Sequence, residues 1–85
     1  MASKTENYQN CTRSWLCGHP DRSGGSAMWT DGERLFSYSL VIGEIRDGHR
    51  VVLNYRAPNN YQSNTTSAHV AAAASCVPDN RVVEP

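Results

Sequence analysis

Two Asp-Gly pairs constrain the fold of this chain more than any other feature. Asp31–Gly32 and Asp47–Gly48 both consist of residues that tolerate positive φ, which tight hairpin turns require. Segments rich in apolar and β-branched residues flank the pairs, and they predict strands over 27–30, 33–45 and 50–56. The sequence therefore predicts an antiparallel meander whose strands are joined at these two turns.

The longest predicted strand indicates which face of the sheet is buried. Alternation places Phe36, Tyr38, Leu40 and Ile42 on one face, and this more apolar face is expected to pack inward. The predicted core combines apolar residues of the sheet with those of a C-terminal helix: Tyr38, Leu40, Ile42, Val51, Leu53, Val70 and Ala74.

A helix is expected after the meander. Four hydroxyl residues lie within positions 63–67, and short hydroxyl side chains commonly satisfy the free N–H groups of a first helical turn. The helix is expected to begin near Thr66 or Ser67, to run to about Cys76 and to stop at Pro78. The fold class is thus α+β: an antiparallel sheet of three to four strands with one C-terminal helix packed on it.

The rest of the chain shows weaker patterns. Residues 1–7 are polar and are expected to be disordered, whereas residues 8–77 are expected to form one small domain. Within it, residues 8–20 have no clean period and are expected to be irregular or a single helical turn. Residues 78–85 are expected to be an exposed tail.

Charge and hydropathy exclude some classes of partner. Eight basic residues balance eight acidic ones, so no basic field favours direct nucleic-acid binding. No apolar run approaches the roughly 20 residues of a membrane span. The N-terminal residues lack the apolar core of a signal peptide, so we expect the protein to act inside a cell.

Cysteine and histidine offer a weak metal-site hypothesis. Cys11, Cys17 and His19 lie close in sequence, and zinc prefers such ligands. The five residues between Cys11 and Cys17 exceed the usual spacing of paired ligands, so free cysteines are the favoured alternative. Residues that could complete the set are Cys76, His49 and His69. We expect neither a metal nor another cofactor.

The helix start and the aromatic residues supply candidate binding residues. Hydroxyl groups beside His69 suggest a ligand-binding or enzymatic site, with Thr65, Thr66 and Ser37 close to the imidazole, although capping and packing explain the same residues. Aromatic residues exceed the need of one small core, and exposed aromatics often anchor protein interfaces, although packing of Trp15 and Trp29 on the open face of the sheet explains these two residues equally well. The candidate binding residues are Trp15, Trp29, Tyr38, Tyr61, Thr65, Thr66 and His69.

Several of these fragments together resemble a family of small uncharacterised domains that recur in bacteriophage and other viral genomes. The shared pattern is a Ser-Tyr-Ser strand at 37–39, a short apolar strand after a turn, and a Ser-x-Thr-Thr-Ser-x-His helix entrance at 63–69. The resemblance spans roughly residues 10 to 75. It implies a phage-encoded protein in the cytoplasm of an infected bacterium, and it implies no reaction.

Small size, balanced charge and surplus aromatics favour a binding module. We expect an accessory protein that inhibits or redirects a host protein, for example a defence-system subunit in the manner of an anti-CRISPR protein. One alternative is a ligand-binding or enzymatic domain that uses the His69 helix entrance. Another is a virion-associated structural protein. The chain is expected to be a monomer or a small homo-oligomer.

Overall fold

The computed structural model describes residues 3–23, 27–56 and 60–85. Its elements in chain order are α1 (Lys4–Leu16), β1 (Asp21–Arg22), β2 (Met28–Thr30), β3 (Leu35–Ser37), β4 (Leu40–Arg46), β5 (His49–Leu53), α2 (Asn64–Ala74), a 3₁₀ turn (Asp79–Arg81) and β6 (Val82–Val83). The fold is α+β, as the sequence predicts. Neither α-helix in these ranges is long and apolar enough to cross a membrane.

The strands form one six-stranded sheet whose spatial order follows the chain. Strands β1 to β5 pair antiparallel, whereas β6 runs parallel to β5, with Val52 opposite Val82. A parallel pair needs a crossover, and α2 lies in that connection. The sheet is therefore mixed and larger than expected, and the segment predicted to be an exposed tail supplies its last strand.

Both Asp-Gly pairs lie in hairpin connections. Asp47–Gly48 forms the tight turn between β4 and β5, with φ of 51° and 78°. Asp31–Gly32 lies in the longer connection between β2 and β3, where the φ of Gly32 is 100°. A third turn at Tyr38–Ser39 divides the predicted long strand into β3 and β4.

The predicted core face of β3 is wrong. Leu35 and Ser37 point inward and are fully buried, whereas Tyr38 is 54% exposed. The pairing register shifts between Leu35 and Phe36, so Ile42 is an extra residue on β4. Such a bulge reverses the alternation locally, because side chains alternate with period two along a regular strand.

Helix α1 occupies a segment that was expected to be disordered and then irregular. Ser3 caps the helix, and its Oγ accepts a hydrogen bond from the backbone N–H of Glu6 at 3.1 Å. Tyr8, Cys11 and Trp15 follow the spacing of one helical face, and Cys11 and Trp15 are fully buried. Most of the neighbouring residues are polar, so the helical spacing of these three residues is difficult to recognise in the sequence.

The core lies between the two helices and the inner face of the sheet. Its fully buried members are Cys11, Trp15, Met28, Leu35, Ile42, Val52, Val70 and Ala73. The predicted burial of Ile42, Val51, Leu53 and Val70 is confirmed, although alternation places Val51 and Leu53 on the opposite face from Val52. Leu40 and Ala74 are only half-buried.

Gly43 permits α1 to approach the sheet, and Gly43→Ala should destabilise the protein by about 3 kcal/mol. A Cβ there would lie 2.8 Å from the Leu35 Cβ and 2.9 Å from the Trp15 ring, and both neighbours are fully buried. Urea denaturation would measure the loss. Gly48→Ala is the control, because its Cβ meets nothing within 4 Å and costs only backbone strain, about 1 kcal/mol. Equal stability of Gly43→Ala and the wild type would contradict this packing.

Candidate functional site

A buried hydrogen-bonded cluster joins the end of β3 to the first turns of α2. The Ser37 Oγ lies 2.7 Å from His69 Nδ1 and 3.0 Å from Thr66 Oγ1. All three residues are buried, with exposed fractions of 4% or less. The structure thus brings together Ser37, Thr66 and His69, three of the four residues that the alternative ligand-binding or enzymatic hypothesis places near one another, whereas Thr65 is exposed and takes no part in these hydrogen bonds.

The sequence of α2 explains how two members of this cluster share a face. Ser63 is the N-cap, and its Oγ accepts a hydrogen bond from the Thr66 backbone N–H at 3.1 Å. This cap fixes the first turn and leaves the Thr66 hydroxyl free to reach Ser37. His69 follows three residues later and Val70 four, so all three side chains lie on the inward face of the helix.

The His69 imidazole is enclosed by two tyrosines. Its ring meets Tyr8 edge-to-face with centroids 4.4 Å apart, and Tyr38 lies at 6.0 Å with a tilt of 41°. Burial lowers the pKa of His69 below its ordinary value. In one tautomer of the neutral ring the Nδ1–H donates to the Ser37 Oγ, and in the other Nδ1 accepts a hydrogen bond from the Ser37 hydroxyl. The buried Nε2 has no hydrogen-bond partner among the described residues.

The Ser37–His69 pair has some of the chemistry of a nucleophile and its base, but the surroundings do not favour that use. A serine nucleophile must reach its substrate, and its histidine is normally oriented by a third group. Ser37 is 1% exposed, and no carboxylate is hydrogen-bonded to His69 in the described part of the chain. The arrangement is best suited to holding β3 and α2 in place.

Tyr38 occupies a position that normally favours glycine. It is the first central residue of the two-residue turn between β3 and β4, and its φ is 55° while that of Ser39 is not positive. This is the φ pattern of a type II′ turn. The Tyr38 N–H donates to the Ala27 carbonyl at 2.6 Å, and its carbonyl accepts from the Trp29 indole at 2.9 Å.

A cavity of about 320 Å³ lies beside the exposed Tyr38 side chain. It is lined by Lys4, Asn7, Tyr8, Ser23, Ala27, Tyr38 and Thr65. The sequence did not predict the contribution of Lys4, Asn7 and Tyr8, since residues 1–7 were expected to be disordered and residues 8–20 to be irregular or a single turn. The one sequence signal for helix α1 is the spacing of residues 8, 11, 12 and 15, which is that of a helical face.

The other candidate binding residues have different surroundings. Trp15 is fully buried and donates its indole N–H to the Glu33 carbonyl at 2.7 Å, so in the folded protein it belongs to the core instead. Trp29 is half-buried and stacks on Phe36 with centroids 4.0 Å apart. Tyr61 is 46% exposed and donates to the Asn64 side chain. Thr66 and His69 are buried and cannot touch a partner directly.

The structure does not assemble the weak metal site. Cys11 is buried, whereas Cys17 and His19 are exposed, and the described residues hold no group of three or more potential ligands. Burial, with a contribution from Asp21, raises the pKa of the Cys11 thiol to about 11. Cys11 is therefore protonated at neutral pH and packs as a small apolar residue.

Comparison with known proteins identifies no relative. No family model, curated protein or solved structure matches this chain.

The buried imidazole should make stability depend on pH. The unfolded state takes up the His69 proton near the ordinary pKa of 6.5, and the folded state does so only at lower pH. The free energy of unfolding should therefore fall as pH drops from 7.5 to 5.5, with no contribution from this group above that range. Chemical denaturation at several pH values across this range would measure the slope of the unfolding free energy against pH. His49→Gln, at an exposed site, should keep it, and His69→Gln should reduce it; an unchanged slope in His69→Gln would contradict the assignment.

Ser37→Ala should lower the free energy of unfolding by about 1–3 kcal/mol, because it leaves the buried Thr66 hydroxyl and His69 Nδ1 without their shared partner. Ser39→Ala, two positions away at an exposed site, is the matched control and should change stability by less than about 0.5 kcal/mol. Chemical denaturation of both variants compares them. If both variants lost a similarly small amount of unfolding free energy, the buried cluster would contribute little to stability.

Proposed function

We propose that this protein acts by binding another protein through the surface formed by Lys4, Asn7, Tyr8, Tyr38 and Thr65, called here the Tyr38 surface. In keeping with the family resemblance, its role is that of a phage accessory protein in the cytoplasm of an infected bacterium. Binding inhibits or redirects a host protein, for example a defence-system subunit.

The conformation of Tyr38 is the observation that carries this proposal. A left-handed backbone costs a bulky residue about 1–2 kcal/mol, and glycine would avoid that cost at the same position. Yet the tyrosine side chain is more than half exposed, so the free energy gained by burying it offsets little of the backbone strain. Strained residues that packing does not explain are concentrated at functional sites, and tyrosine is a common anchor of protein interfaces.

The buried cluster supports the proposal by making this surface rigid. Ser37 immediately precedes Tyr38 and is held by two side chains of α2. Thr65 lies on the first turn of the same helix, and Tyr8 packs on His69 from α1. Three elements are thereby held in one arrangement before binding, which reduces the entropy lost when a partner docks.

The balanced charge of the chain bears on how a partner is recognised. A net charge of zero supplies no long-range field to steer association, and it disfavours mimicry of nucleic acid, which needs dense negative charge. Recognition by this protein would therefore depend on short-range contacts of aromatic and hydroxyl side chains.

Tyr38→Gly separates binding from folding. The variant should abolish partner capture while changing the free energy of unfolding by no more than about 1 kcal/mol, because relief of the strain offsets the lost ring contacts. The measurement is capture of host proteins from a bacterial lysate by the tagged protein, followed by mass spectrometry and quantitative binding of the purified partner.

Asp47→Gly is the matched control, since Asp47 also has a positive φ but lies in the turn at the far end of β4. A partner that binds the wild type and Asp47→Gly but not Tyr38→Gly supports the proposal. A partner that binds all three equally, or no stoichiometric partner at all, contradicts it.

A further inference from the structure

We infer that the Tyr38 surface is regulated by pH through His69: protonation of this buried imidazole releases the Tyr38–Ser39 turn while the sheet and α1 stay folded. This pH switch follows from the hydrogen bonds of the ring, from the charges that face it and from the weak attachment of the turn. Its effect on a partner rests on the proposed function, whereas the conformational change itself does not.

The hydrogen bonds of His69 suit only the neutral ring. Ser37 occupies Nδ1 at 2.7 Å, and Nε2 is buried without a partner in the described part of the chain. A neutral ring with its hydrogen on Nδ1 leaves only a lone pair on Nε2, whereas a protonated ring carries an N–H on both nitrogens. A buried cation whose second N–H has no acceptor is strongly disfavoured, so a protonated His69 must gain contact with water.

The described elements packed against the imidazole present no negative charge to it. Helix α1 contributes the Tyr8 phenol and the turn after β3 the Tyr38 phenol, and phenols are uncharged at and below neutral pH. On the same face of α1 Cys11 is a neutral thiol, and Lys4, beside Tyr8 on the cavity lining, is a cation that opposes a second positive charge. The strands contribute a hydroxyl group and apolar core residues. Burial is accordingly what lowers the pKa of His69.

The turn at Tyr38 is the part of these surroundings that opens most easily. Tyr38 is 54% exposed and has a φ of 55°, so its departure uncovers little apolar surface and relieves backbone strain. Two hydrogen bonds attach its backbone to β2 and the residue before it: the N–H donates to the Ala27 carbonyl, and the carbonyl accepts from the Trp29 indole. Segments with few buried apolar contacts open at a lower free energy than the whole domain.

The core beneath the cluster does not depend on the imidazole. Its largest apolar members belong to α1 and the sheet and are fully buried: Trp15, Met28, Leu35 and Ile42. Helix α2 is held by Val70 and Ala73, which are fully buried as well. Protonation of His69 is therefore expected to release the turn and not to unfold the domain.

Release of the turn removes the arrangement that a partner needs. Ser37 immediately precedes Tyr38, so loss of the Ser37–His69 hydrogen bond frees the backbone that presents the tyrosine ring. Burial lowers the pKa of His69 only while the turn is closed. The turn is therefore ordered at neutral pH and is released progressively below the ordinary histidine pKa of 6.5, and a partner that binds the ordered turn opposes this protonation.

The test is an NMR titration of the purified full chain from about pH 8 to about pH 4. It follows the His69 ring, hydrogen-exchange protection of the Tyr38 amide, and the Trp15 indole and Val52 amide as reporters of the core. Protonation of His69 with an at least tenfold loss of protection at Tyr38, while the core signals stay native, supports the inference. Protonation that leaves Tyr38 protected, or that occurs only when the core signals are lost, overturns it. Unfolding before any protonation of His69 overturns it too.

Histidine variants test whether His69 is the group responsible. His69→Gln keeps a neutral polar side chain and should abolish the pH-dependent loss of protection at Tyr38; its persistence overturns the inference. His19→Gln and His49→Gln remove exposed imidazoles and should leave that loss unchanged. If His69→Gln does not fold, Tyr38→Gly decides. Without the tyrosine ring beside it His69 should titrate nearer to pH 6.5 than in the wild type, and an unchanged titration overturns the role of the turn.

A partner obtained by capture would report the effect on binding. Its affinity should fall by up to about tenfold per pH unit below the His69 midpoint, and His69→Gln should remove this dependence. An affinity with the same pH dependence in both proteins overturns the regulation. The titration uses the purified protein alone, so a released turn without any captured partner would contradict the proposed function and leave the pH switch intact. A captured partner with an unresponsive turn would do the reverse.

Discussion

The rest of the structure depends most on the two hydrogen bonds of the buried Ser37 hydroxyl. This hydroxyl joins the last residue of β3 to Thr66 and His69 on α2, and it does so in a buried environment where an unpaired polar group is costly. The contact fixes α2 over the sheet. It also fixes the residue that follows, so the turn that presents Tyr38 is held from within the protein.

Helix α1 completes the domain from the other side of the core. Trp15 packs against Gly43 and bonds the Glu33 carbonyl, so one side chain holds the helix to two parts of the sheet region. Close approach of α1 brings Tyr8 onto His69 and Lys4 to the edge of the cavity. The Tyr38 surface is therefore a product of core packing, since its residues come from α1, from the turn after β3 and from α2.

The sequence predicted the parts of the fold that local chemistry governs. Asp47–Gly48 marked its hairpin because both residues accept positive φ. The hydroxyl residues at 63–67 marked the region where α2 starts, because hydroxyl groups cap helices, but Ser63 is the cap and the helix begins at Asn64 instead of the predicted Thr66 or Ser67. The core face of β3 was mispredicted because Tyr38–Ser39 carries no conventional turn signal and a bulge reverses the alternation. Strand β6 was missed because two valines in a polar tail have no detectable pattern until β5 pairs with them.

By itself the sequence determined the α+β class, the Asp47–Gly48 turn and a capped helix start after residue 62, since turn and cap preferences act over a few residues. The contacts of Ser37 with Thr66 and His69, which are 29 and 32 residues away, are products of tertiary packing. Tertiary structure alone decided which face of β3 is buried, that Trp15 lies in the core, and that Lys4 and Tyr8 border the same cavity as Tyr38. These outcomes depend on contacts between residues far apart in the chain. A one-residue change of register is nearly invisible in a sequence, yet it reverses every side chain of a strand.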